Sequence, residues 1–486
     1  MATKDNTFKI TIDDFSLGFA PLAHLDSLTT LGKAGHATAM GNIDLLTHPG
    51  KITQGPGLAT LTAGTEAGAV TELINYITDT AVASNVAYGI GNTKLQQISA
   101  TAVTNTGVFP HTITNATAGN SCIYFQGALY YFFNKSSGAD FGKYDLATTF
   151  DDDYGSTVPT GAAALQSAPH PVAKKEDILM FGNGRYVGTF ISSTATVAPT
   201  KLDFGVNSEV ADLCFHANQW YLAVNAGILS GTNRASSQIY LYDGAALTSI
   251  LSDEVAVGVQ QIGFIMPVNG VVYVAYKDLS SAGGFAIGYI SGRQIKPLKY
   301  FTGSLPTFAQ KTLFKNTISF VSNALIYSCG AVIEQLPVQI SQLADGGFST
   351  VGALAAPFGN PMVASTQTTS FKLAQFSGFD TACTWKSIVF PVTNGTYKGM
   401  IDTIIVHTKV LGANASCAIT FEANQGVSTS ASKTITTTGK TRHVFTNFSL
   451  KDIEDFRIAL TWAAGNATND CEIRKIDIMG HFVENS

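Results

Sequence analysis

The sequence predicts an all-β protein: a six- or seven-bladed β-propeller, an extended N-terminal arm before it and a C-terminal antiparallel β-sandwich behind it. Three observations predict this. Hydrophobic residues make up 45% of the 486 residues and charged residues only 13%, about half the usual charged share, so much surface must be hidden inside sheets or against partners. The 46 glycines, with many Ser, Thr and Asn, punctuate numerous short strands, and helix-forming runs are almost absent. Finally, one strand–turn–strand unit recurs along the chain.

Residues 1–64 form the expected arm. Phe8, Ile10 and Ile12 share one face of an alternating strand, and turn-rich extended chain follows. His48-Pro-Gly-Lys-Ile-Thr-Gln-Gly-Pro-Gly57 breaks any helix repeatedly. Such an arm would lie over the propeller or on a neighbouring subunit.

Residues 65–379 carry the repeat. It reads Leu73–Ile77 turning into Val86–Ile90, then Cys122–Phe133, Ile178–Phe190, Leu213–Val224, Ile262–Val274 and Thr312–Phe320. The turn markers Asn85, Gly127, Gly184, Asn218, Gly270 and Asn316 step by about 46 residues on average, a propeller-blade length. Asn183-Gly184 and Asn269-Gly270 are hairpin signals of type I′, since both residues tolerate positive φ. A second, shorter hairpin follows most markers: Lys94–Ile98, Gly142–Leu146, Lys201–Phe204, Ile239–Gly244, Ala286–Ile290 and Ala331–Gln335. Two hairpins per period make a four-stranded blade. A weaker seventh unit lies around Thr366–Phe376, which leaves six and seven blades both open.

Residues 380–486 change to longer, cleaner strands. Met400–Val410 is one. Cys417, Ile419, Phe421 and Ala423 share a face of the next, and Phe456, Ile458, Leu460 and Trp462 alternate with Arg457, Ala459 and Thr461. Ile476, Ile478 and Phe482 close the series. Period-two alternation over several strands is half-buried antiparallel sheet, here a sandwich. The Ser/Thr run Val427–Thr441 reads as a long mobile loop and Lys451–Asp455 as one helical turn.

The net charge of −5 and the lack of a Lys/Arg cluster give no indication of electrostatic binding to nucleic acid or acidic membranes. The N-terminus lacks the apolar core of a signal peptide and no stretch approaches a membrane span, which implies synthesis in the cytosol. Cys122, Cys214, Cys329, Cys383, Cys417 and Cys471 are scattered without zinc spacing and read as buried free thiols.

A hydrolase needs paired carboxylates or a nucleophile with a base. No Gly-x-Ser-x-Gly elbow, His-Glu-x-x-His or Ser-x-Asp-x-Gly-x-x-Trp turn occurs. Gly182–Gly188 echoes a phosphate loop, but its glycines serve a hairpin. Asp151-Asp-Asp153 is the one dense acidic cluster; its adjacent carboxylates converge poorly on one ion, and both a solvated loop and a cation site stay open. His216 and His407 fall within strands, while His24, His36 and His48 are too widely spaced for one face. Trp220, Trp385 and Trp462 read as core residues. The Asn-x-Ser/Thr matches at 115, 134, 394, 414, 447 and 466 follow from composition. No catalytic, cofactor-binding or metal residue is assigned, and no cofactor is implied.

Ile10–Ser16, Met40–Leu46 and Leu46-Thr-His-Pro-Gly-Lys-Ile-Thr-Gln-Gly-Pro-Gly-Leu58 resemble the start of virion structural proteins of tailed bacteriophages. Trp385–Phe390, Ile401–Val406 and Ile473–Ile478 are similar to their C-terminal sandwich. The resemblance implies a tail-associated component (nozzle, tail-tip or ring subunit) that is made in the host cytoplasm and resides in the virion tail. It implies action through interfaces with copies of itself and with neighbouring tail proteins, and no enzymatic activity. The alternative is a glycan- or receptor-binding adsorption protein using the 427–441 loop; a propeller glycosidase stands further back. Two carboxylates about 5–10 Å apart at the propeller mouth would revive that last reading.

Overall fold

The protein, as a computed structural model, is described over residues 7–15, 37–45, 48, 50–63, 72–79, 85–104, 107–161, 165–226, 237–252, 258–278, 283–331, 333–343, 350–367, 370–380, 382–393, 397–448, 450–462 and 469–484. Among these residues, seven sheets of the blade type follow one another along the chain. Blade 1 runs Tyr76–Ile77, Val86–Ile90, Lys94–Ser99, Ala102–Thr104, with Thr62–Ala63 added in parallel at its edge. Blades 2 to 6 are antiparallel and four-stranded, and their first strands are Ala116–Phe125, Val172–Lys175, Glu209–His216, Val259–Val268 and Lys311–Phe314. Blade 7 runs Thr350–Ala355, Met362–Gln367 and Ser370–Phe379, and its fourth strand is Pro56–Thr60 from the N-terminal segment.

First strands of successive blades pack on one another from blade 1 to blade 5 and from blade 6 through blade 7 back to blade 1, while the first strand of blade 5 packs on Thr317–Ser322, the second strand of blade 6, so the ring is closed. The reason is visible in the apolar clusters, which lie between blades. Phe132, Phe141, Phe181 and Phe190 fill the gap between blades 2 and 3, and Phe264, Phe285, Phe301 and Phe320 that between 5 and 6. Leu61, Ile74, Ala353 and Met362 join blade 7 to blade 1. Each fully buried aromatic is worth about 1.5–3 kcal/mol, which drives stacking once the hairpins exist. Close approach also demands glycine. A Cβ on Gly119 would sit 1.8 Å from the Gly91 carbonyl, and one on Gly352 would sit 2.4 Å from that of Ile74.

Hairpins supply the local order. Asn269 and Gly270 both have positive φ, 49° and 78°, as a type I′ turn requires. At the other expected site the turn is displaced by one residue. Asn183 still pairs with Tyr186, so Gly184-Arg185 forms the turn with only Gly184 left-handed. Asn183 is instead buried, accepting from Gln166 N–H (2.7 Å) and donating to the Pro199 carbonyl (3.0 Å). Outer strands carry buried Pro199 and exposed Lys201 in blade 3, and Lys296, Pro297 and Lys299 in blade 5. Proline and lysine on an edge discourage pairing with stray strands.

Two sheets form the sandwich. One orders as Thr7–Ile12, Ile473–Glu484, Tyr397–Thr408, Arg442–Thr446; the other as Ala37–Gly41, Thr384–Ser387, Asp455–Trp462, Cys417–Ala423, Ser428–Thr429. The described strands of the segment expected as an arm, residues 1–64, are therefore not separate from the two domains. Their strands serve the sandwich twice and then close the propeller, with Thr7 opposite His481 and Ile12 opposite Ile476. Ile12 and Phe15 are fully buried, which a strand lying on the outside would not be. The 427–441 run is not one long loop: Ser428–Thr429 and Lys433–Ile435 pair with Cys417–Ala423, because Ser430 and Ile435 are drawn inward. Lys451–Asp455 makes no helical turn; Ile453 bridges Gly399 and is fully buried. Residues 331–335, expected as part of a hairpin, connect Leu325–Cys329 to Val338–Gln342 instead.

Propeller and sandwich share one core. Phe314, Ile326, Ile340 and Phe376 of blades 6 and 7 belong to the same apolar cluster as Ile43, Trp385, Phe421 and Trp462. Polar ties reinforce it: Gln339 donates to Asn42 (2.7 Å) and Lys315 lies 3.3 Å from Asp44.

Candidate functional site

The strand edges of the first strands surround the propeller axis, and one group of charged side chains converges there. Asp212 sits between apolar Val210-Ala211 and Leu213 in the Glu209–His216 strand and is 3% exposed. Its Oδ1 accepts from Leu213 N–H (2.9 Å), and its Oδ2 accepts from Ile265 N–H (2.7 Å) in blade 5 and from the Lys311 ammonium in blade 6. Lys311 also donates to the Ile265 carbonyl (2.6 Å) and lies 5.6 Å from the Phe264 ring centre. One ion pair thus ties three blades. A β-bulge between Val210 and Asp212 turns the carboxylate toward the neighbouring blade.

Asp79, just beyond the first strand of blade 1, shares this field. It is exposed, yet the protein packed round it desolvates its carboxyl and pushes the pKa up to about 6, with the Asp212 charge adding to the rise and Lys311 and the Thr312 hydroxyl opposing it. Burial likewise pushes the nearby Cys214 thiol up to about 12. The axis therefore does hold two carboxylates in electrostatic contact. Asp212 is held by three donors, while Asp79 is exposed. Sequence patterns did not single out this trio. The legible signal was an Asp amid Val210, Leu213 and Phe215, where a charge costs dearly unless paired.

The acidic cluster is engaged from within. Asp152 accepts from Tyr131 Oη (2.5 Å), Thr114 N–H (2.8 Å) and His111 Nε2 (2.9 Å), and Asp153 bonds Lys135 at 2.7 Å. Partial burial opposes ionisation of Asp152, but the His111, Tyr131 and Thr114 bonds outweigh it and hold the carboxyl down at about 2. Among the described residues no group of three or more His, Cys, Asp or Glu side chains is placed to hold a metal. The three tryptophans are buried, and Gly182–Gly188 spans the blade-3 hairpin. Five of the six cysteines are buried. His48 lies 3.4 Å from Glu472, and His407 3.6 Å from Asp477. His24 and His36 fall outside the described residues. Asn115, Asn414 and Asn447 occupy left-handed turn positions, with φ of 61°, 62° and 60°.

No family model matches the chain. No curated protein matches either. Solved structures share only the general build. The extracellular domain of a one-component system from B. thetaiotaomicron aligns at 12% identity and TM-score 0.45, covering 74% of this chain and 44% of that one. The chain thus spans less than half the length of that structure. The WD40 β-propeller domain of Doa1 aligns at 11% identity and TM-score 0.41, covering 65% and 95%. An exo-β-1,3-galactanase from Phanerochaete chrysosporium aligns at 11% identity and TM-score 0.30, covering 88% and 100%. Likenesses this distant carry no argument about activity.

Proposed function

We propose that this chain is a structural subunit of the tail of a tailed-phage particle, working through its interfaces and not through catalysis. The observation that carries the reading is the way residues 7–60 are shared out. They complete the sandwich, then the propeller, and bind both into one body with a common core. A rigid body of two modules with a charged share of 13% suits permanent docking, where large matched surfaces replace mobile recognition elements. The engagement of Asp212 by Lys311 and two backbone amides supports a structural role for the axial charges.

In this reading the chain is made in the host cytoplasm and assembles with copies of itself and with neighbouring tail proteins. Quantitative mass spectrometry of gradient-purified particles tests it. Peptides of this chain should be present at a fixed copy number per particle. Their absence from mature particles, or turnover of a glycoside by the purified chain, would overturn the reading.

A further inference from the structure

The solvent face of the second sandwich sheet carries a cleft of about 400 Å³ lined by Val389, Glu422, Gln425, Gly426, Asp455 and Arg457, inside the roughly 300–1,000 Å³ range of ligand pockets. Alternation places these groups there. Phe421, Ala423, Phe456 and Ile458 face the core, so Glu422, Asp455 and Arg457 face outward, and Glu422 stands directly opposite Arg457 across the two strands.

The cleft is fixed by its own bonds. Glu422 accepts from Lys386 Nζ through one oxygen (2.7 Å) and from Arg457 Nε through the other (2.5 Å). The bond at Nε orients the guanidinium, and no partner is recorded for its terminal nitrogens among the described residues. Asn424, Gln425 and Gly426 are three successive left-handed residues, with φ of 52°, 58° and 88°. Two bonds pin that turn. Asn424 Oδ1 accepts from Glu454 N–H (2.8 Å), and Gln425 N–H donates to Asp455 Oδ1 (2.8 Å). The exposed Gln425 amide and the second Asp455 oxygen remain available to a ligand.

From these groups we infer that the cleft binds a neutral saccharide, with the Arg457 guanidinium donating to adjacent hydroxyls, Asp455 and Gln425 accepting from or donating to others, and Val389 meeting the ring's C–H face. Charge selects the class. Glu422 and Asp455 balance Lys386 and Arg457, so an anionic ligand gains no net attraction and meets the Asp455 carboxylate. A cationic one meets Lys386 and Arg457. Sugar hydroxyls both donate and accept, so they can satisfy a guanidinium donor and a carboxylate acceptor side by side. The site lies beside the 427–441 segment but uses only its threshold, Gln425 and Gly426. It does not depend on where in a particle the chain resides.

Saturation-transfer NMR on the full-length chain tests this, with the methyl glycosides of glucose, galactose, mannose and N-acetylglucosamine as neutral probes and the methyl glycoside of galacturonic acid, its carboxylate free, as the anionic one. At least one neutral glycoside should bind with a Kd on the order of millimolar. Arg457→Lys keeps the charge beside Glu422 but loses the fork, and should weaken binding about tenfold. Gln425→Ala changes an exposed side chain with no structural partner and should weaken it about threefold. Failure of every neutral glycoside, tighter binding of the galacturonate, or unchanged affinity in both variants would overturn the inference. Circular dichroism shows that each variant is folded before its result counts.

Discussion

His170 offers a direct reading of how the blades are packed. It lies fully buried where blade 2 meets blade 3, its Nδ1–H donating to the Gly182 carbonyl (2.7 Å) and its own carbonyl accepting from Ser121 Oγ (2.6 Å). The ring centre is 5.8 Å from that of Phe132, and Nε2 is buried with no hydrogen-bond partner recorded. Burial pushes the imidazole down to about 4, against smaller opposing contributions from the Gly182 and Gln166 backbone. In the unfolded chain the same group titrates near its ordinary value of about 6.5. Between those two values the unfolded chain holds more protons, so stability falls as the pH falls through that window. The full interval corresponds to about 3 kcal/mol, of which about 2.5 kcal/mol is lost by about pH 4.5. His170→Gln retains an N–H for the Gly182 carbonyl and cannot titrate. Urea unfolding followed by tryptophan fluorescence at about pH 7 and about pH 4.5 should show the wild type losing about 2.5 kcal/mol relative to the variant. A difference independent of pH would refute the packing of this histidine between two closed blades.

Asp79 carries the opposite sign. Its folded pKa of about 6 lies above the unfolded value, so stability falls as pH rises between roughly pH 4 and 6. Asp79→Asn should then be more stable than wild type above about pH 6, by about 1 kcal/mol once solvent screening of this exposed group is allowed for, and should lose that advantage below about pH 4. Asp212→Ala orphans Lys311 and two amides and should cost about 4 kcal/mol, measured by urea unfolding at neutral pH. Removing both charges, as Asp212→Asn with Lys311→Met, should recover at least half of that loss, since the cost lies in the stranded partner. Phe15 is fully buried with its ring centre 5.4 Å from that of Trp385, so Phe15→Ala should cost about 4 kcal/mol in the same assay. A loss under about 0.5 kcal/mol would mean that the N-terminal segment is peripheral.

What the sequence made legible was local. Hairpins announce themselves because both strands and their turn lie within one stretch, as at Asn269-Gly270, and because alternation marks which face is buried, as at Cys417–Ala423. The partners of the N-terminal strands were hidden. Thr11 bonds Asp477 across a separation of 466 residues, and an isolated alternating strand says that it needs a sheet without saying which. The axial cluster was hidden for the same reason. Lys311 and Asp212 lie 99 residues apart, and only ring closure brings them together. The short strands at Ser428–Thr429 and Lys433–Ile435 were masked by polar composition. Ser430 turns inward to donate to the Ala431 carbonyl and accept from Phe421 N–H, a bond that hydropathy cannot register. The sandwich cleft was half legible: alternation exposed Arg457 and Glu422, but their pairing depended on strand register.

Electron cryomicroscopy of intact particles carrying an antibody fragment against this chain tests the proposed docking role most directly. Labelled density should form a ring of copies around the tail axis, each with a propeller disc and a sandwich in fixed relation. Particles that lack the label, or a chain whose two modules vary in relative orientation from copy to copy, would contradict it.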